Sequence, residues 1–225
     1  MKRLIGVAAG LAMVAGLAQG QTNVLSQNAV GYVKINIDAG KFYLVSTQWL
    51  QIDGSPNTVN NVLGTQFADF SQAFTWNGSS FNASHTLLPG GTGNWTGGAT
   101  AIEPGDGFWL TTGTSVEAFF LGEVPGANNG FETNVVSGVT GFQILSNPYP
   151  VNIAWQSTGL AGQLSDFSQL FQFDPDTGFL PSVTKLPGGN WTSNPTISVG
   201  EGFWVRVGLG TGSIDWTETK PYTYP

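Results

Sequence analysis

The chain has 225 residues, of which 40% are hydrophobic and only 9% charged, against about 25% charged in an ordinary globular domain. With no cysteine, one histidine and a net charge of −7, it excludes a disulfide scaffold, a His/Cys zinc site and the basic face that nucleic acid requires. Its apolar and aromatic content is high enough to bury a core, which excludes disorder.

Residues 1–20 read as a signal peptide. Lys2 and Arg3 form a positive start, residues 4–17 are uncharged and apolar, and Ala18-Gln19-Gly20 is a small-residue cleavage site before Gln21. A membrane anchor is the competing reading, but spanning a bilayer takes about 20 strongly apolar residues. This run is shorter and rich in Gly and Ala, and no later segment is long enough, so no membrane span is expected after cleavage. Without Lys2 and Arg3, five basic residues face 14 acids, a net charge of −9. The expected location is secreted or cell surface, in a bacterium.

Val33, Ile35 and Ile37 alternate with Lys34 and Asn36, which predicts a half-buried strand. Phe42, Leu44 and Ser46 continue after Asp38-Ala39-Gly40, so the first two strands are expected to form a hairpin. Residues 57–63 predict a short helix, capped by Asn57 or Thr58 and stopped by Gly64. Phe74 and Trp76 share a side at period two, and Asn77-Gly78 turns the chain back to Phe81. Phe108-Trp109-Leu110 and residues 116–121 are further strands.

From there the pattern recurs. Phe42-Tyr43-Leu44-Val45-Ser46 matches Phe142-Gln143-Ile144-Leu145-Ser146, and Asp69-Phe70-Ser71-Gln72 recurs as Asp166-Phe167-Ser168-Gln169. Gly93-Asn94-Trp95-Thr96 recurs as Gly189-Asn190-Trp191-Thr192, and Gly105-Asp106-Gly107-Phe108-Trp109 as Gly200-Glu201-Gly202-Phe203-Trp204. The offsets are 100, 97, 96 and 95 in chain order, so the chain reads as a duplication of a unit of roughly 97 residues. Units at 21–125 and 126–225 meet at a turn-rich stretch over 125–130. The second copy offers a poorer helix over 159–164, a turn at Asp174-Pro175-Asp176-Thr177-Gly178 before Phe179, and a closing strand over 213–217. The predicted class is all-β with minimal helix: two tandem β-sandwich-like units, or partly open barrels.

Asn28-Ala29-Val30-Gly31-Tyr32-Val33 after a signal peptide, followed by two Gly-[Asp/Glu]-Gly-Phe-Trp motifs, resembles a family of uncharacterised exported bacterial proteins. The resemblance covers nearly all of the mature chain. It implies export and the duplicated β fold, and it brings no activity with it.

No catalytic residue, metal site or cofactor is assigned. A glycosidase needs two carboxylates flanking one bond. Asp106 and Glu201 instead occupy the same turn in different units, where a carboxylate accepts backbone N–H groups, and they read as structural. His85 has no counterpart in the second copy and reads as a surface loop residue. Residues 174–178 resemble the start of a calcium loop but lack its twelfth-position Glu, and read as a hairpin turn. The glycine cluster 208–212 lies between strands and reads as a hairpin loop. The aromatics paired between copies, Phe74/Phe171, Trp76/Phe173, Trp109/Trp204 and Phe120/Trp216, are assigned to the core.

Three functions remain. The first is a non-enzymatic structural or surface-associated β protein, self-assembling through strand pairing of residues 21–28 with a neighbour's sheet edge. The second is a carbohydrate-binding module for extracellular polysaccharide, using Asn94, Trp95, Asn190 and Trp191. The third is a secreted glycoside hydrolase.

Overall fold

The computed structural model describes residues 29–90, 93–126, 133–208 and 212–222. The expected signal peptide, the segment 21–28, and most of the 125–130 junction and the 208–212 loop lie outside the described residues.

The first unit runs β1 (Val30–Ile37), β2 (Phe42–Ser46), α1 (Val59–Leu63), β3 (Gln72–Phe74), β4 (His85–Thr86), β5 (Gly107–Thr111) and β6 (Val116–Glu123). The second runs β7 (Thr133–Val139), β8 (Phe142–Ser146), β9 (Ile153–Ala154), α2 (Gly159–Gln163), β10 (Gln169–Phe171), β11 (Phe173–Asp174), β12 (Gly178–Phe179), β13 (Val183–Thr184), β14 (Thr196–Ile197), β15 (Gly202–Arg206) and β16 (Ile214–Thr219). The chain is all-β. None of its described helices is long and apolar enough to cross a membrane.

The expected hairpin of the first two strands does not form. β1 pairs with β6, from Val30↔Glu123 to Ile37↔Val116, and β2 pairs with β5, from Phe42↔Thr111 to Ser46↔Gly107. The first two strands are thus one side of a long antiparallel ribbon, bent where the Gly40 amide donates to the Thr112 carbonyl at 2.8 Å. The reason lies in the apolar pattern. β1 and β6 alternate and suit one buried face, whereas β2 and β5 are apolar on both faces. Like pairs with like.

β3 and β4 extend the inner half of the ribbon into a four-stranded sheet of order β2-β5-β3-β4. The second unit repeats this order as β8-β15-β10-β13, with the ribbon half β7-β16 beside it. Each unit has its own core. In the first, Phe108 and Phe120 pack at 6.3 Å beneath Val59, Leu63 and Trp95. In the second, Phe203 packs on Trp216 at 6.5 Å and on Trp155 at 5.6 Å. Phe120 and Trp216 are core residues, as their pairing between copies suggests. Each such burial contributes about 1.5–3 kcal/mol.

The two short helices start alike and end differently. Thr58 and Thr158 cap their N-termini by accepting from Asn61 N at 3.3 Å and Ala161 N at 3.1 Å. α1 stops at Gly64. α2 has no glycine there, and the buried ammonium of Lys185 donates instead to the carbonyls of Ala161, Gly162 and Leu164 at 3.0, 3.2 and 2.6 Å. The position of Lys185 in the first unit is held by Leu87: both bridge to the loop tryptophan.

Candidate functional site

The sheets join through their Gly-acid-Gly turns. Ser46 N donates to Gly200 O at 3.0 Å, and Ser146 N to Gly105 O at 2.8 Å. Val45 bridges Glu201 and Leu145 bridges Asp106. The motif's two glycines have different tasks. Gly105 and Gly200 adopt φ of 107° and 83°, closed to other residues. Gly107 and Gly202 let the opposite backbone approach: a Cβ on Gly107 would sit 2.7 Å from Leu145 O, and one on Gly202 2.9 Å from Val45 O.

Between the glycines sit the carboxylates. Asp106 Oδ2 accepts from Glu103 N at 2.9 Å, and Glu201 Oε2 from Ser198 N at 2.9 Å. Glu201 also accepts from Gln172 Nε2 at 2.7 Å. Burial holds the pKa of both acids above the ordinary carboxylate value, with their hydrogen bonds opposing the shift. The backbone bonds lie within each acid's own turn, and Gln172 lies between β10 and β11.

The outer faces of the two sheets carry matching rows. Leu44, Trp109 and Phe74 lie side by side in the first, Ile144, Trp204 and Phe171 in the second. Each unit then sends a hairpin across the other. Trp76 and Phe81, bridged around Asn77-Gly78, stand edge-on to Trp204 at 5.0 and 6.0 Å. Phe173 and Phe179, around Asp174–Gly178, stand edge-on to Trp109 at 4.6 and 6.1 Å. The first hairpin is fastened by the Trp76 indole, which donates to Phe142 O at 2.8 Å. The second is fastened by Lys41, which pairs with Asp176 as well as Asp38 and whose pKa is raised by both hydrogen bonds.

The crossed hairpins leave an aromatic cleft with two cavities. The larger, about 700 Å³, is lined by Trp76, Gly78, Ser79, Phe81, Phe142, Phe171, Phe179 and Trp204. The smaller, about 440 Å³, is lined by Phe42, Phe74, Phe81, Trp109 and Phe173. Phe42, Phe81, Phe142 and Phe179 are each between 46% and 56% exposed. Among the described residues no carboxylate lines either cavity.

Several sequence expectations change here. Phe74/Phe171, Trp76/Phe173 and Trp109/Trp204 are half-buried cleft residues, not core; their pairing between copies marks a symmetric contact. Trp95 and Trp191 form no surface platform. They are 4% and 8% exposed, and their indoles donate to Gly64 O at 3.0 Å and Ala161 O at 3.3 Å. A sugar ring has no tryptophan face to stack on there, although the neighbouring Asn94 and Asn190 are exposed.

His85 is not a loop residue either. It lies buried on β4, its Nδ1 hydrogen-bonded to Thr96 O at 3.0 Å and its Nε2 to the Thr75 hydroxyl at 3.1 Å. In the calcium-like stretch, Asp174 Oδ1 is spent within the turn, accepting from Asp176 N, Thr177 N and the Thr177 hydroxyl. The cleft itself had a visible sign in the sequence: Phe42-Tyr43-Leu44-Val45 and Gly202-Phe203-Trp204-Val205 are apolar on consecutive positions, as strands covered on both faces are.

Comparison with protein-family models, curated proteins and solved structures finds no match to this chain.

Proposed function

We propose that the chain is an exported, non-enzymatic contact protein whose binding surface is the aromatic cleft between its two units. The carrying observation is the set of half-exposed phenylalanines, Phe42, Phe81, Phe142 and Phe179, gathered in one concave site. Contiguous exposed apolar surface of this kind marks binding sites, since isolated exposure would be spread over the molecule. The signal-peptide pattern of residues 1–20 supports a cell-surface or secreted setting.

The cleft favours an apolar occupant over a sugar. Apart from the tryptophan indoles, Ser79 is the one polar side chain lining the two cavities among the described residues, so most sugar hydroxyls would face rings without hydrogen-bond partners. The test is fractionation of cells expressing the full chain. The wild-type protein is expected in the washed envelope or matrix fraction, and a Phe81→Ser/Phe179→Ser variant in the medium. Equal partitioning of the two would overturn the reading.

A further inference from the structure

The two cavities share matching rings, and the rows that flank them differ in charge at one pair. In the first sheet the row beside the tryptophan is Phe42, Thr111 and Gln72; in the second it is Phe142, Arg206 and Gln169. Thr111 in one unit is therefore a guanidinium in the other. Arg206 lies exposed, its Cζ 6.0 Å from the centroid of the Phe142 ring, and Phe142 lines the larger cavity. Its Nη1 donates to Gln169 Oε1 at 3.1 Å, and it forms no ion pair with any described acid. In a chain with twice as many acids as bases, a guanidinium held beside an apolar cavity without a carboxylate is a charge awaiting its complement.

We infer that the larger cavity binds a free long-chain monocarboxylate, with its alkyl chain among Trp76, Phe81, Phe171 and Trp204 and its carboxylate on Arg206. This deepens the contact-protein reading and rests on it. The cavity's volume of about 700 Å³ falls within the about 300–1,000 Å³ of small-ligand sites. An alkyl chain makes no hydrogen-bond demand on a wall of rings, whereas a peptide's amides would go unpaired there. The carboxylate meets the fork of donors that a guanidinium presents. The Thr111 side offers similar rings, and its cation, Lys41, is already paired with Asp38 and Asp176, so one site per chain is expected.

The test is titration of the purified full chain, below micellar concentrations, with dodecanoate, 1-dodecanol and dodecyltrimethylammonium, followed by tryptophan fluorescence and calorimetry. Dodecanoate is expected to bind with one site and roughly tenfold more tightly than the alcohol, and Arg206→Gln to abolish that difference. Thr111→Arg is expected to raise the dodecanoate stoichiometry from one to two. Equal binding of acid and alcohol, a preference for the ammonium, an unaffected Arg206→Gln variant, or no binding at all would each overturn the inference. None of these results bears on envelope partitioning, so the broader reading stands or falls on its own measurement.

Discussion

Ser46 and Ser146 make the same two bonds in opposite directions across the molecule. Each amide donates to the first glycine of the other unit's Gly-acid-Gly turn, and each hydroxyl donates to the acid's carbonyl, at 3.2 Å for Ser46 to Glu201 and 3.1 Å for Ser146 to Asp106. The repeated motif is therefore the seam between the units as well as a turn within each. Its second glycine should tolerate no side chain. Gly107→Ala and Gly202→Ala are each expected to cost about 1–3 kcal/mol through overpacking against the facing carbonyl. Urea unfolding checks this, and a variant with an unchanged midpoint would refute the account of the seam.

Lys185 replaces a missing glycine cap, and removing its charge leaves three helix-end carbonyls with no ammonium donor. Lys185→Met, which keeps most of the packing volume, is expected to lower stability by about 1–3 kcal/mol. Leu87→Met at the matching site of the first unit should cost less than about 1.5 kcal/mol. The comparison by thermal denaturation separates a capping role from simple loss of shape.

Phe70 and Phe167 are the two non-glycine residues with positive φ among the described residues, both at 66°, and both are exposed. A bulky side chain in that conformation costs about 1–3 kcal/mol. Phe70→Gly and Phe167→Gly are each expected to raise the unfolding midpoint, an uncommon outcome for deleting an aromatic ring. A lowered midpoint would mean that the rings make stabilising contacts larger than this strain.

Asp106 and Glu201 set an acid-side pH dependence. Because burial raises their folded-state pKa values, the folded protein binds more protons than the unfolded chain as the pH falls toward the ordinary carboxylate range. Their contribution to stability therefore increases on mild acidification and is lost as pH rises through the raised values. The Asp106→Asn variant keeps an acceptor oxygen for the Glu103 amide without the charge. It is expected to be more stable than wild type at pH 7, with the gain shrinking toward pH 4. Asp38, Asp53 and Asp174, whose pKa values are lowered chiefly by hydrogen bonds, act in the opposite sense and are unchanged in both proteins.

Local pattern made much of the fold legible. The alternation of Val33, Ile35 and Ile37 marks β1, the Thr58–Gly64 frame marks α1, and the turns at Asn77-Gly78 and Asp174–Gly178 are where the residues place them. Pairing partners were not legible, because Phe42 can follow Ile37 either as a hairpin return or as a continuation past a bend. The site is hidden in the sequence for a related reason. A repeated aromatic is equally consistent with two cores and with one contact made twice, and only the arrangement of the halves separates these. Trp95 looked available because glycines surround it, yet those glycines are what let its loop fold inward over α1. Arg206 is one base among few in the sequence, and its meaning depends on Phe142, sixty-four positions away in the chain and adjacent across the strands.

The ribbon that opens and closes each unit also imposes an order in time. Val30 meets Glu123, and Thr133 meets Thr219, so the first strand of each unit waits for the last before its edge is satisfied. Nearly every residue of a unit must exist before that unit can close, and loops this long make the search for the closing register slow. Until then the strand bearing Val33 and Ile35 presents both edges to whatever is nearby, which places the greatest hazard of mispairing early in the life of the chain and halves the open edge at the final strand.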